Sequence, residues 1–358
     1  MDGFIACFDG LEDPRTGNAG RHDLLEILMI ALCKVLCGGQ SAMAEFAEDK
    51  EAFLRGFLTL EHGPPSHDTF SRVLRLLDPD QFRACFQRFM ARFAEAAQGV
   101  VAIDGKVLRR SFDTASGKSA LHMVTAWGCD QRLVLAQIAT AAKSNEITAV
   151  PKLLEMLSLK GTIVTALNCQ RDIARRIVDQ DGDYVLALKG NQGTLHADVR
   201  LFLDDPETRP TGTHTTVDGD HGRIDTCTVS TDIGWLQEVH DWPGLNAIGK
   251  VVRTRETGAK VTTETAYYLL STPLSAERFG HVARSHWAVE NSLHWCLDVI
   301  MNEDNARNRL DNGPYNLAIL RHMALNLIRK EPSKGSLRVK IKRAGWKDAY
   351  LAKVFALI

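Results

Sequence analysis

The chain has 358 residues, enough for two or three domains and for a core that needs no disulfide or metal staples. Its 45% hydrophobic and 24% charged residues are globular in proportion, which excludes a disordered or collagen-like chain. Net charge is −1, yet residues 303–358 carry 12 Lys and Arg against 5 Asp and Glu, while residues 1–302 carry 31 against 39. A basic end on an acidic chain points to a polyanionic partner, with a solvated helix face as the plain alternative.

No apolar run reaches the ~18 residues of a membrane span, and the longest, Leu24 to Leu36, is broken by Glu26 and Lys34. The opening MDGFIACFDG has no basic stretch before an apolar one, so no export signal is expected. Eight cysteines lie without any CxxC spacing, as in a cytosolic protein with reduced, buried thiols.

Residues 1–98 read as a helical N-terminal domain. Asp23 and Glu26 form a capping-box pattern ahead of Leu24, Ile27, Leu28, Ala31 and Val35. Ser66 opens a second helix, on which Arg72 and Arg75 lie off the apolar face, and Asp78-Pro79 opens a third. From residue 99 the pattern becomes strand-like. Val100 to Ile103 forms a strand ending at Asp104-Gly105-Lys106, followed by strands Ala120 to Trp127 and Arg132 to Ile138. Helix Ile147 to Leu159, strand Thr162 to Leu167, helix Gln170 to Val178 and strand Tyr184 to Leu188 come next. Three meandering strands and then alternating helix and strand give the order of a ribonuclease H-like mixed α/β sheet. Residues 196–271 read as a β-rich insertion of two hairpins, the second turning at Glu256 to Lys260. A long helix, Leu274 to Ile300, returns the chain to the ribonuclease H-like domain (99–195 with 272–330), and basic helices close it over 331–358.

In such a sheet the C-terminal strand ends open on one edge, where α/β proteins place ligands. That edge gathers Asp104, Lys106, Lys143-Ser144-Asn145-Glu146, Asn168, Lys189, Asn191 and Gln192, a set suited to a divalent metal and a phosphodiester. Glu146 also reads simply as a helix N-terminal charge. His286, Glu290 and His294 recur every four residues on one helix face, with Asp298 four further on. A His and a carboxylate at this spacing can share a transition metal, although the order is not the HExxH of zinc hydrolases.

Val101-Ala102-Ile103-Asp104-Gly105-Lys106-Val107-Leu108-Arg109-Arg110-Ser111 resembles the first acidic motif of the H-repeat-associated insertion-sequence transposases. Lys143 to Ile147, Leu186 to Gln192, His221 to Ile224 and His286 to Trp295 are similar to further signatures of that family, in the same order. The resemblance runs from about Phe8 to Leu351 and implies a DDE transposase, in which two aspartates and a glutamate hold two Mg²⁺ or Mn²⁺ ions. Motif by motif, Asp104 is the first acid and metal ligand and Glu290 the last. The second belongs at the end of strand Thr162 to Leu167, where the family reads roughly IVTIDAMGCQ and this chain reads Ile163-Val164-Thr165-Ala166-Leu167-Asn168-Cys169-Gln170. The match resumes if Ile-Asp is missing between Thr165 and Ala166, so the copy is expected to be crippled, with Glu146 as candidate supporting acid. The resemblance further implies contacts to DNA from Lys106, Lys189, Asn191, Gln192 and Arg223. It gives His286 and His294 the task of orienting Glu290 or the bound strand. The partners implied are double-stranded DNA (transposon ends and target) and a second copy in a synaptic homodimer, with no membrane and a cytoplasmic, nucleoid-associated setting. Two rivals are a DNA-binding remnant without catalysis and a His/Glu metal hydrolase acting on something other than DNA.

Overall fold

Helices precede any strand in the computed structural model, which describes residues 2–93, 97–114, 117–140, 146–218, 222–258 and 260–357. They are α1 (Asp2–Cys7), α2 (Leu24–Leu36), α3 (Met43–Asp49), α4 (Glu51–Leu54), α5 (His67–Leu76) and α6 (Pro79–Phe93). Side chains fix their starts: Asp23 accepts from the Glu26 amide, Ser66 from that of Thr69, and Asp78 from those of Asp80 and Gln81.

Strands β1 (Gly99–Val107), β2 (His122–Gly128) and β3 (Leu133–Thr140) lead to α7 (Glu146–Leu154), β4 (Thr162–Ala166), α8 (Arg171–Val178) and β5 (Asp183–Leu188). Helix α9 (Gly193–Asp204), strands β6 (Gly212–Asp218) and β7 (Arg223–Ser230), α10 (Gly234–Val239), β8 (Ala247–Thr257) and β9 (Lys260–Leu270) follow. Helix α11 (Ala276–Val289) continues through Glu290–His294 and Cys296–Ile300 in wider, π-type turns. The chain closes with α12 (Gly313–Lys330), α13 (Leu337–Trp346) and α14 (Asp348–Phe355).

The sheet order is β3-β2-β1-β4-β5-β9-β8-β7-β6. Parallel β1, β4 and β5 flanked by antiparallel β2 and β3 form the ribonuclease H-like half. The hairpins of 196–271 join the main sheet, because β9 pairs antiparallel with β5 and extends it. One apolar core runs from Phe4 to Phe355 and takes in the N-terminal helices. Helix α12 is buried along nearly all its length, with Asn316, Arg321, His322 and Asn326 inside.

Strand β1 also outruns its expected end. It pairs with β2 as far as Val107, with Asp104 opposite Thr125 and Lys106 opposite Met123. Its other neighbour, β4, stops at Ala166 beside Ile103. Asp104 therefore lies in mid-strand, paired on one side and open on the other. Alternation then sends Asp104 and Lys106 to the face covered by α11 and Gly105 to the face covered by α7. Lys143, Ser144, Asn145, His221 and Ala259 lie outside the described residues. Among the described residues no helix is long and apolar enough to cross a membrane. All eight cysteines are free, and most are buried.

Candidate active site

Asp104 and Glu290, far apart in sequence, meet in space. The His294 Nδ1 lies 3.3 Å from Glu290 Oε2 and 3.8 Å from Asp104 Oδ2. One ligand atom from each of the three lies within 4.8 Å of the others. The widened turns of the long helix carry both Glu290 and His294, a helix irregularity frequent at functional sites. Burial pushes the Asp104 carboxyl above the ordinary carboxylate range; His294 and the Gly105 amide oppose this, and Glu290 and Glu146 add to it. Among the described residues, neither Asp104 nor Glu290 has a Lys or Arg ion-pair partner; their partner is His294. The buried His294 Nε2 has no hydrogen-bond partner. Two unneutralised carboxylates and an imidazole fit one divalent cation, which would relieve their mutual repulsion.

A second ion needs another carboxylate, and the geometry shows what stands there instead. The last paired residue of β4 is Ala166, beside Ile103; Leu167, the next one, lies in the bend that follows, on the α11 side that Asp104 shares. Leu167 packs against the apolar cluster that includes Phe279 and Val282 of α11. Asn168 turns to the opposite face, where its Nδ2 donates to Glu146 Oε2 at 3.1 Å. The other Glu146 oxygen is bound by His122 Nε2. Glu146 thus sits over Gly105, where any Cβ would strike its carboxylate and the His122 ring. The supporting acid expected from the sequence is therefore held on the other side of β1, outside the Asp104–Glu290–His294 cluster.

Lys106, expected at the DNA, has its ammonium between Asp298 (2.5 Å) and Glu303 (2.7 Å), and Glu303 is in turn held by Arg321 at 3.2 Å. Lys189 and Asn191 are exposed just past β5. Gln192 Nε2 donates to the Cys169 carbonyl at 2.7 Å and ties that loop to the one after β4. His286 lies in the α11 packing against β4, and burial pushes its imidazole down to about 4, so it is neutral at pH 7. Arg223 does not act alone. It shares the buried Asp225 with Arg253 and Arg284, at 2.8, 3.5 and 3.2 Å. Burial by itself would raise Asp225, yet these guanidiniums hold it below its usual value. Arg253 also stacks over Trp287, one turn before Glu290. Sequence reasoning missed Arg253 and Arg284; it put His294 with Glu290 by their four-residue spacing but not beside Asp104. In the C-terminal basic run Arg338, Lys340, Lys342, Arg343 and Lys347, Lys340 turns inward and donates to the Glu331 carbonyl.

Comparison with known proteins bears on the whole chain. A family model described as "DDE_Tnp_1-associated" matches residues 5–90, and one described as "Transposase DDE domain" matches residues 95–327. The chain is similar to the "H repeat-associated putative transposase YhhI" of Escherichia coli (strain K12), 36% identical over 352 residues, covering 94% of this chain and 93% of the relative. It is 34% identical over 366 residues to the "Putative transposase YncI" of Escherichia coli O157:H7, covering 97% and 92%. An uncharacterized protein in the dhlA 3' region of Xanthobacter autotrophicus is 44% identical over 274 residues, covering 74% of this chain and 92% of that one.

Proposed function

The chain belongs to the DDE transposase family, and from that membership we propose that it is an insertion-sequence transposase acting on double-stranded DNA. Asp104 and Glu290 are its catalytic acids, and this copy lacks the second acid of the set. The carrying observation is the convergence of Asp104, Glu290 and His294 into one cluster without a neutralising Lys or Arg among the described residues. A Mg²⁺ or Mn²⁺ ion there would supply Lewis-acid stabilisation of phosphodiester oxygens and lower the pKa of an attacking water or 3′-hydroxyl.

The protein's own groups bind and orient. Lys189 and Asn191 are exposed past β5 and reach the DNA backbone, as does the Arg223, Arg253 and Arg284 cluster beside α11. His294 holds Glu290 toward Asp104. His286, neutral and buried, gives α11 a seat against β4 that costs no charge. The protein acts in the cytoplasm on nucleoid DNA, as a homodimer pairing two element ends.

Leu167 also favours a second reading, a DNA-binding remnant without efficient catalysis. The test is Mg²⁺-dependent cleavage and joining of the element's own ends by this chain and by one with Ile-Asp inserted between Thr165 and Ala166. The repaired chain is expected to act and the present one to be weak or confined to Mn²⁺. Equal activity would mean the gap is harmless. Inactivity of both, with salt-sensitive DNA binding retained, would favour the remnant; absence of such binding would favour a hydrolase acting on another substrate.

A further inference from the structure

We infer that Lys106 is a positioning residue: with Asp298 it forms a part-buried clip that sets the distance between Asp104 and Glu290. The inference rests on the metal-site reading above and names residues that act through the two acids rather than on DNA. Lys106 follows Asp104 by two residues on β1, so both side chains leave the same face. Asp298 follows Glu290 by eight residues on the widened end of the long helix. The 2.5 Å contact between Lys106 and Asp298 therefore joins the strand that carries one acid to the helix that carries the other.

The clip is itself anchored. Glu303, almost wholly buried, takes Lys106 at 2.7 Å on one oxygen and Arg321 of α12 at 3.2 Å on the other. Arg321 donates to Gln40 Oε1 at 3.0 Å, and Gln40 Nε2 donates to the Asn302 carbonyl at 2.6 Å. Gln40 lies between α2 and α3, so the ladder runs from the N-terminal helices through α12 to the acid site. Charges buried this deeply have one low-energy arrangement, because any shift leaves one of them unpaired. They are suited to fixing a geometry that the two repelling acids would not keep by themselves.

Simple electrostatics and a positioning role predict opposite signs. Removing the cation that neutralises Asp298 and Glu303 leaves more negative charge near the site and should by itself tighten binding of a divalent ion, whereas loosening the clip should weaken it. The experiment is a Mn²⁺ titration of the full chain, read by the free-ion electron paramagnetic resonance signal, on wild type and Lys106→Met. Lys106→Met is expected to bind about 10- to 100-fold more weakly, the range for residues that orient metal ligands. Equal or tighter binding overturns the inference. If Lys106→Met does not fold, Lys106→Ala/Asp298→Ala carries the test. It leaves the net charge unchanged and Glu303 still paired with Arg321, so weaker binding supports the clip and unchanged binding refutes it. A wild type that binds no Mn²⁺ refutes the metal-site reading instead, a distinct result.

Discussion

Two carboxylate clusters stand side by side where β1 meets the end of the long helix, and they have opposite characters. Asp298 and Glu303 are neutralised by Lys106 and Arg321, with Glu303 and Arg321 closed to solvent and Asp298 partly exposed. Asp104 and Glu290 face each other with only a histidine between them, and the Glu290 side chain is 62% exposed. Neutralised charge in the first cluster holds the fold; uncompensated charge in the second is a cost that a fold retains where function requires it. The contrast supports the proposed acid site, and it can be broken in several ways.

The largest expected effect is on stability. Glu303→Gln, which leaves Lys106 and Arg321 facing a neutral amide, should lower unfolding free energy by about 3–5 kcal/mol in denaturant titration. Asp104→Asn should leave stability unchanged or raise it slightly, since it removes a repelling buried charge. Equal losses from both substitutions would erase the distinction. Next comes pH. His286 and His322 are pushed by burial from 6.5 to about 4. The unfolded chain protonates these rings near pH 6.5 and the folded one only near 4, so stability should fall as pH drops through that window. Chemical denaturation at pH 7 and pH 4.5 measures the slope, and His322→Gln should flatten it.

A smaller effect is expected from Leu167→Asp, which places a carboxylate beside Asp104 on the shared face. About tenfold tighter Mn²⁺ binding is expected by calorimetry, and no gain would move the missing acid elsewhere. Smallest is the basic C-terminal face. Neutralising Arg338, Lys342, Arg343 and Lys347 should lower the salt slope of DNA binding by up to about one unit for each phosphate no longer engaged. Lys340→Met should leave that slope alone and instead destabilise the fold, because Lys340 is buried against Glu331.

Much of this was legible in the sequence where the signal is local. Caps at Asp23, Ser66 and Asp78, the β-α alternation, and Asp104 and Glu290 in their motifs all depend on neighbours a few residues away. What was hidden depends on distant partners. Gly105-Lys106 reads as a turn, yet β2 continues the pairing through Val107, and only then does alternation place Asp104 and Glu146 on opposite faces. Lys106 looks like a phosphate contact until Asp298 and Glu303, nearly 200 residues on, claim it. The burial of α12 was not legible either, because its polar groups are satisfied by distant partners: Arg321 by Glu303 and Gln40, and His322 by Gln137. Strand β9 beside β5 could not be foreseen from two hairpins that each close locally.

The central claim is that Asp104, Glu290 and His294 hold a divalent cation. Its most direct test is Mn²⁺ binding to the wild-type chain and to Asp104→Asn, with folding of both checked by circular dichroism. Wild type should bind a Mn²⁺ ion that Asp104→Asn binds at least about 100-fold more weakly, a larger loss than that of an orienting residue. Identical binding curves for the two proteins, or none for wild type, would contradict it.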